Sequence, residues 1–143
     1  MPGMTHGDAQ DLVERLRRAW EKRDVDTVMD CFADEAELRP DPFAPPMTDA
    51  TAIRAWCNAV AAAVVHAEAD AERVWLAGDT VLVAFHGAWT VRATGDRTRV
   101  RGMLSLELEP DRHIRRARAW ASTRLVGTDS TVAPTGEHAA SRP

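Results

Sequence analysis

The sequence contains no tyrosine. A mechanism that needs a phenol as acid, base or oxyanion donor is therefore excluded. Cysteine is nearly absent too: Cys31 and Cys57 stand far apart inside helical patterns, with no CxxC pair and no Cys/His cluster. That spacing argues against zinc and iron–sulfur sites and reads as two small buried hydrophobes in a reducing compartment. No metal and no other cofactor is expected. The P-loop, GxGxxG, HExxH and nucleophile-elbow patterns are all missing. The longest apolar run, Ala59 to Val65, falls far short of the roughly twenty residues that span a bilayer. The start, Met1-Pro2-Gly3-Met4-Thr5-His6, shows neither the basic nor the apolar region of a secretion signal, so a cytoplasmic location is expected. Positive charge is also short. Lys and Arg number 18 against 22 Asp and Glu, a net charge of −4. Nucleic acid and membrane surfaces, which call for basic patches, are not expected partners.

What remains is an ordinary globular chain. Its 143 residues suit one domain and are too few for two. Apolar residues make up 45% and charged residues 28%, which leaves out collagen-like, coiled-coil and wholly disordered classes.

Periodicity divides the chain in two. Asp8 to Arg23 reads as an amphipathic helix with Leu12, Val13, Leu16, Ala19 and Trp20 on one face. Asp24 can cap a second, short helix bearing Val25, Val28, Met29 and Phe32. Ala33-Asp34-Glu35 looks like a break, and Ala36 to Arg39 a short strand. Pro40-Asp41-Pro42-Phe43-Ala44-Pro45-Pro46 can be neither helix nor central strand. Thr48 or Asp49 then caps a third helix with Ile53, Trp56, Cys57, Val60 and Val64 on one face. After His66 the period falls to two. Strands are expected at Glu68–Ala77, Thr80–Arg92, Arg97–Glu109 and His113–Val126, with turns at Gly78-Asp79, Gly95-Asp96 and Pro110-Asp111. Residues 1–7 and the stretch 127–143 read as disordered ends around one domain at 8–126. Helices followed by a strand meander mean α+β: three N-terminal helices on a strongly curved, mostly antiparallel sheet.

Asp41 is the leading chemical candidate. Prolines on both sides restrict its backbone, so little entropy is lost in presenting the carboxylate. Aimed into an apolar cavity, it becomes a general base near neutral pH. The alternative is a turn-capping Asp in water.

Here the chain resembles a known family. Phe32-Ala33-Asp34-Glu35-Ala36-Glu37-Leu38-Arg39-Pro40-Asp41-Pro42-Phe43-Ala44-Pro45-Pro46, followed by Ile53-Arg54-Ala55-Trp56 and the ending Ile114 to Trp120, is similar to the ketosteroid isomerase and small polyketide cyclase superfamily. Its fold is the nuclear-transport-factor-like cone. The resemblance implies a cone-shaped barrel, a proton-shuttling role for Asp41, and a homodimer packed through the outer face of the sheet. It implies a hydrophobic small-molecule substrate and no cofactor. The isomerases' oxyanion hole, a Tyr and a protonated Asp, does not carry over: those positions fall near Leu16 and Leu104. Losing one such donor typically costs two or three orders of magnitude in rate. Efficient steroid isomerisation is therefore not expected.

The remaining candidates follow from alternation along the strands. Val83, Phe85, Gly87 and Trp89 share a face, and Gly87 and Gly102 would leave room for a flat apolar ligand. Trp20, Phe43, Trp56, Phe85, Trp89, Leu104 and Trp120 are the expected substrate-binding residues, with core packing as the alternative for the tryptophans. Arg118 shares a face with Trp120 and Arg116. Facing inward it is the second catalytic candidate, a holder of substrate carboxylate or enolate; a bulge would turn it to solvent. Glu68 is a possible second acid beside Asp41, the arrangement that epoxide hydrolases of this scaffold imply. Three readings stand: an isomerase or cyclase acting on a polycyclic or polyketide-like ketone, an epoxide-opening enzyme, and a non-catalytic binding or dimerisation module.

Overall fold

The computed structural model describes residues 3–128. Helix α1 runs His6–Lys22. It begins two residues before the amphipathic pattern because Thr5 and Asp8 form a capping box: Thr5 accepts the Asp8 N–H and its own N–H donates to the Asp8 carboxylate. Arg23, in the left-handed region at φ 54°, ends the helix. Asp24 caps α2 (Val25–Asp30), and Asp49, not Thr48, caps α3 (Ala50–Ala63).

The five strands are β1 (Phe32–Arg39), β2 (Val64–Ala77), β3 (Thr80–Val91), β4 (Asp96–Leu108) and β5 (Ile114–Thr128). They form one sheet in the order β1-β5-β4-β3-β2. Strands β2 to β5 make an antiparallel meander, and β1 lies parallel to β5 at the edge. The fold is thus α+β, as expected, with the N-terminal helices on a curved sheet. It is a cone and not a closed barrel, because β1 and β2 remain separate edges.

Four boundaries differ from the sequence reading. β1 starts at Phe32, so Ala33-Asp34-Glu35 is strand and not a break. Phe32 pairs with Ile114, and the register slips before Glu37 meets Arg116, which hides the period. Val64 belongs to β2, paired with Val91, and not to the third helix. At the ends, His6 and Gly7 are helical and Gly127 and Thr128 extend β5, so those parts of the expected disordered ends are ordered. Residues 1–2 and 129–143 lie outside the described residues.

One face of the sheet carries the core. Val81, Val83, Leu106, Leu108 and Ala117 are buried with Leu38 of β1, Ala9 and Val13 of α1 and Ile53 of α3. The pairs Val81–Leu106, Leu106–Ala117 and Leu38–Ala117 place these residues on one inner face. No helix among the described residues is long and apolar enough to cross a membrane.

Candidate functional site

The helices do not cover the inner face evenly. Along β3 the residues change from buried Val81 and Val83 to half-buried Phe85 and Trp89; along β4 they change from buried Leu106 to half-buried Leu104. Phe85, Leu104 and Trp56 of α3 lean on the buried core. Trp20 of α1 meets Trp89 edge to face, with ring centroids 6.4 Å apart at 83°. Trp20, Trp56, Phe85, Trp89 and Leu104 are therefore large apolar residues that stay half-buried.

Polar contacts on α1 fix the position of Trp20. Arg17 donates to the Ala69 carbonyl on β2, and the Ala69 N–H donates to Glu21. Arg17 is itself held by Glu14 and Glu21 at 2.7 and 2.8 Å. Arg17 holds the Glu14 carboxyl down at about 2. One turn on, Arg23 donates to the Val64 carbonyl. The helix is therefore clamped to β2 on both sides of Trp20, which sets the angle at which its indole meets Trp89.

Gly87 and Gly102 serve a different purpose from the one their spacing suggested. A Cβ on Gly87 would collide with the Glu68 carbonyl, and one on Gly102 with the Trp120 carbonyl and Ala121. These glycines let β2 and β5 approach closely; they do not leave room for a ligand.

Asp41 is the largest correction. It is exposed, and its Oδ1 accepts the Phe43 N–H at 2.9 Å, while its carbonyl accepts the Ala44 N–H. This is an Asx turn in water, the alternative that the proline loop left open. Alternation accounts for it: Ala36 and Leu38 point inward, so the next inward position falls on Pro40 and the carboxylate falls one residue late. Phe43, beside it, is 96% exposed and lines nothing.

Arg118 and Trp120 face outward. Ala117, between Arg116 and Arg118, pairs with buried Leu38 and Leu106, whereas Arg118 pairs with Ser105 and Trp120 with Met103. Trp120 is 46% exposed. Arg118 therefore cannot hold a ligand on the inner face. Glu68 is exposed and paired with Arg97 at 3.0 Å, so the inner face gains no second acid from it. Of the expected site residues, the fold brings Trp20, Trp56, Phe85, Trp89 and Leu104 to the inner face and sends Asp41, Phe43, Glu68, Arg118 and Trp120 elsewhere. Arg39, which the sequence reading passed over, lies beside Arg118 as its partner across β1 and β5. Two surface hollows of about 390 and 500 Å³ take in none of those inner-face residues, one lined mainly by polar residues of α1, Asp24 and Thr27, the other by α1 and the Glu72–Leu76 stretch of β2.

The thiols of Cys31 and Cys57 are pushed up by burial, which makes both poor nucleophiles. No cluster of His, Cys, Asp and Glu suited to a metal ion occurs among the described residues.

The SnoaL-like domain model matches residues 13–117. No curated protein matches the sequence. Solved structures show the fold. The structure of SalBIII, described as an epoxide hydrolase/cyclase-like enzyme with a role in pyran ring formation in the polyether salinomycin, superposes with a TM-score of 0.75 at 16% identity, over 84% of this chain and 97% of that one. A hypothetical protein with a ketosteroid isomerase-like fold from Catenulispora acidiphila DSM 44928, in complex with trimethylamine, gives 0.69 at 15%, over 77% and 84%. An M. tuberculosis LEH-like epoxide hydrolase gives 0.67 at 19%, over 80% and 82%.

Proposed function

We propose, from the premise that the chain belongs to the SnoaL-like domain family, that it takes a small hydrophobic polycyclic or polyketide-like ketone on the inner face of its sheet. It moves a proton on that ketone without a cofactor, as an isomerase or cyclase does. One observation carries the reading: Trp20, Trp56, Phe85, Trp89 and Leu104 are large apolar residues that stay half-buried, with Trp20 and Trp89 in edge-to-face contact. Flat apolar surface of that kind is what a fused-ring ligand would cover. The names of two similar structures, an epoxide hydrolase/cyclase-like enzyme and an epoxide hydrolase, support small-molecule chemistry on this scaffold.

In this reading Asp41 is the base. Its carboxylate must leave the Phe43 N–H and turn from solvent to the inner face, which requires the proline loop at 40–46 to move. The epoxide-opening alternative has less support, because Glu68 is engaged with Arg97 and shares no face with those aromatic residues. The solvent-facing Asp41 favours a second reading, a module that binds the same ligand and leaves it unchanged.

The test is to titrate fused-ring ketones against tryptophan fluorescence and to follow deuterium uptake alpha to the carbonyl in D2O by mass spectrometry. Quenching together with uptake, the uptake falling about 10²- to 10⁴-fold in Asp41→Asn, is the expected result. Quenching without uptake selects the binding module. Neither signal defeats both readings.

A further inference from the structure

We propose that Phe43 is a ligand-contacting residue, carried onto the inner face when the proline loop at 40–46 swings shut over a bound ring system. The loop is pinned at its base. Leu38 and Met47 exchange two backbone hydrogen bonds, each 2.9 Å. Both stems lie on the core side: Leu38 is buried, and Met47 packs against the core. Among the described residues, the hydrogen bonds of residues 40–46 all stay inside the loop: Asp41 Oδ1 accepts the Phe43 N–H, and the Asp41 carbonyl accepts the Ala44 N–H. Four of the seven residues are prolines, which fix φ and have no N–H to give. The loop is thus stiff within itself and tied by hydrogen bonds only at its stems, which is how a hinged flap is built. Its tip carries Phe43, 96% exposed. Every other aromatic side chain among the described residues is less than half exposed.

The sheet register sets where the flap comes down. Arg39 pairs with Arg118, so the chain leaves the sheet at Pro40, level with Ala119. Ala119 pairs with Leu104, and Leu104 with Val83, two residues before Phe85 on the same face. Leu104 is thus two strands from β1, roughly 10 Å at the spacing of paired strands, and the chain from Pro40 to Phe43 can span roughly the same distance. Beyond Ala119, β5 continues without β1 beside it, and Ala121 and Thr123, its next residues on the inner face, are exposed. A ring system lying on Leu104 and Phe85 gives the Phe43 side chain an apolar surface to meet. That contact exists in the closed state alone, so the ligand itself supplies the free energy that shifts the loop. The inference rests on the proposed inner-face ligand and deepens it by adding a second wall to its site. The swing is the loop movement that a catalytic Asp41 requires, and it serves equally a module that leaves its ligand unchanged.

The test is ¹⁹F NMR on the full chain with 4-fluorophenylalanine at its three phenylalanines, Phe32, Phe43 and Phe85. Phe43→Leu and Phe85→Leu assign the signals, and 2-acetylnaphthalene is the probe. In the free protein the Phe43 signal should show the full H2O/D2O isotope shift of a solvated ring. At saturating ketone the Phe85 and Phe43 signals should both move, and Phe43 should lose at least half of that isotope shift. Phe43→Ala should weaken the ketone at least tenfold, read by tryptophan quenching, at an unchanged urea midpoint; Phe43→Leu should recover part of the loss. A ketone that moves Phe85 and leaves Phe43 solvated overturns the flap and spares the inner-face site. A ketone that moves neither signal overturns both. Equal affinity in wild type and Phe43→Ala overturns the contact.

Discussion

Two stretches of the sheet's inner face are built from the same strands with the same alternation, yet they differ in how far they are covered. Val81, Val83, Leu106 and Ala117 are buried with residues of α1, α3 and β1. Farther along β3, Phe85 and Trp89 continue the same face, and with Leu104, which lies opposite Val83, they stay half-buried. The half-buried side chains are no less apolar. An apolar face with too little cover is either a folding liability or a binding surface, and here the less covered residues are the large, flat ones.

This contrast can be broken by mutation. Leu106→Ala in the buried stretch should cost about 2–5 kcal/mol, measured as a lower urea midpoint at unchanged slope. Gly102→Val should cost about 1–3 kcal/mol or more, because the new side chain meets the Trp120 carbonyl and Ala121; a neutral result would refute the close-approach role. Phe85→Ala in the half-buried stretch should cost only about 1–2 kcal/mol, since water already reaches the ring, while abolishing quenching by fused-ring ketones. If it cost as much as Leu106→Ala, the two stretches would be one core.

A smaller effect concerns the clamp that seats Trp20. Glu14 is held at about 2 in the folded chain against an ordinary value of 4.5, the Arg17 hydrogen bond being the main cause. A lowered carboxyl contributes stability that is present above the ordinary value and is lost as the pH falls from about 4.5 through about 2. Glu14→Gln should flatten that part of the stability profile, seen as a urea midpoint less sensitive to acid. Asp41→Asn should change stability least, by under about 0.5 kcal/mol, because an exposed Asn can accept the same Phe43 N–H.

The sequence was most informative where local rules dominate. Asp24 and Asp49 announced their helices, Gly78-Asp79 its turn, and the alternation of β3 and β4 which residues share a face. It was least informative where a distant partner decides. Asp34 and Glu35 are too polar to read as strand, but they sit exposed on an edge strand, where such residues cost little. Val64 continued the helical stripe, yet pairing with Val91 draws it into β2. Asp41 was misjudged because proline rigidity says how firmly a carboxylate is held and not where it points. The candidate site was half legible: its aromatic floor followed from period, its acids did not.

Composition, caps and period thus determined by themselves that this chain is one α+β domain with helices first and a meander after, because those signals act between residues a few positions apart. Only the tertiary structure decided which face of β5 is inward, and with it the fates of Arg118 and Trp120. Alternation defines two faces and cannot choose between them; the choice came from Ala117 meeting Leu38 and Leu106, residues distant in the chain whose burial outweighs the exposure of a tryptophan.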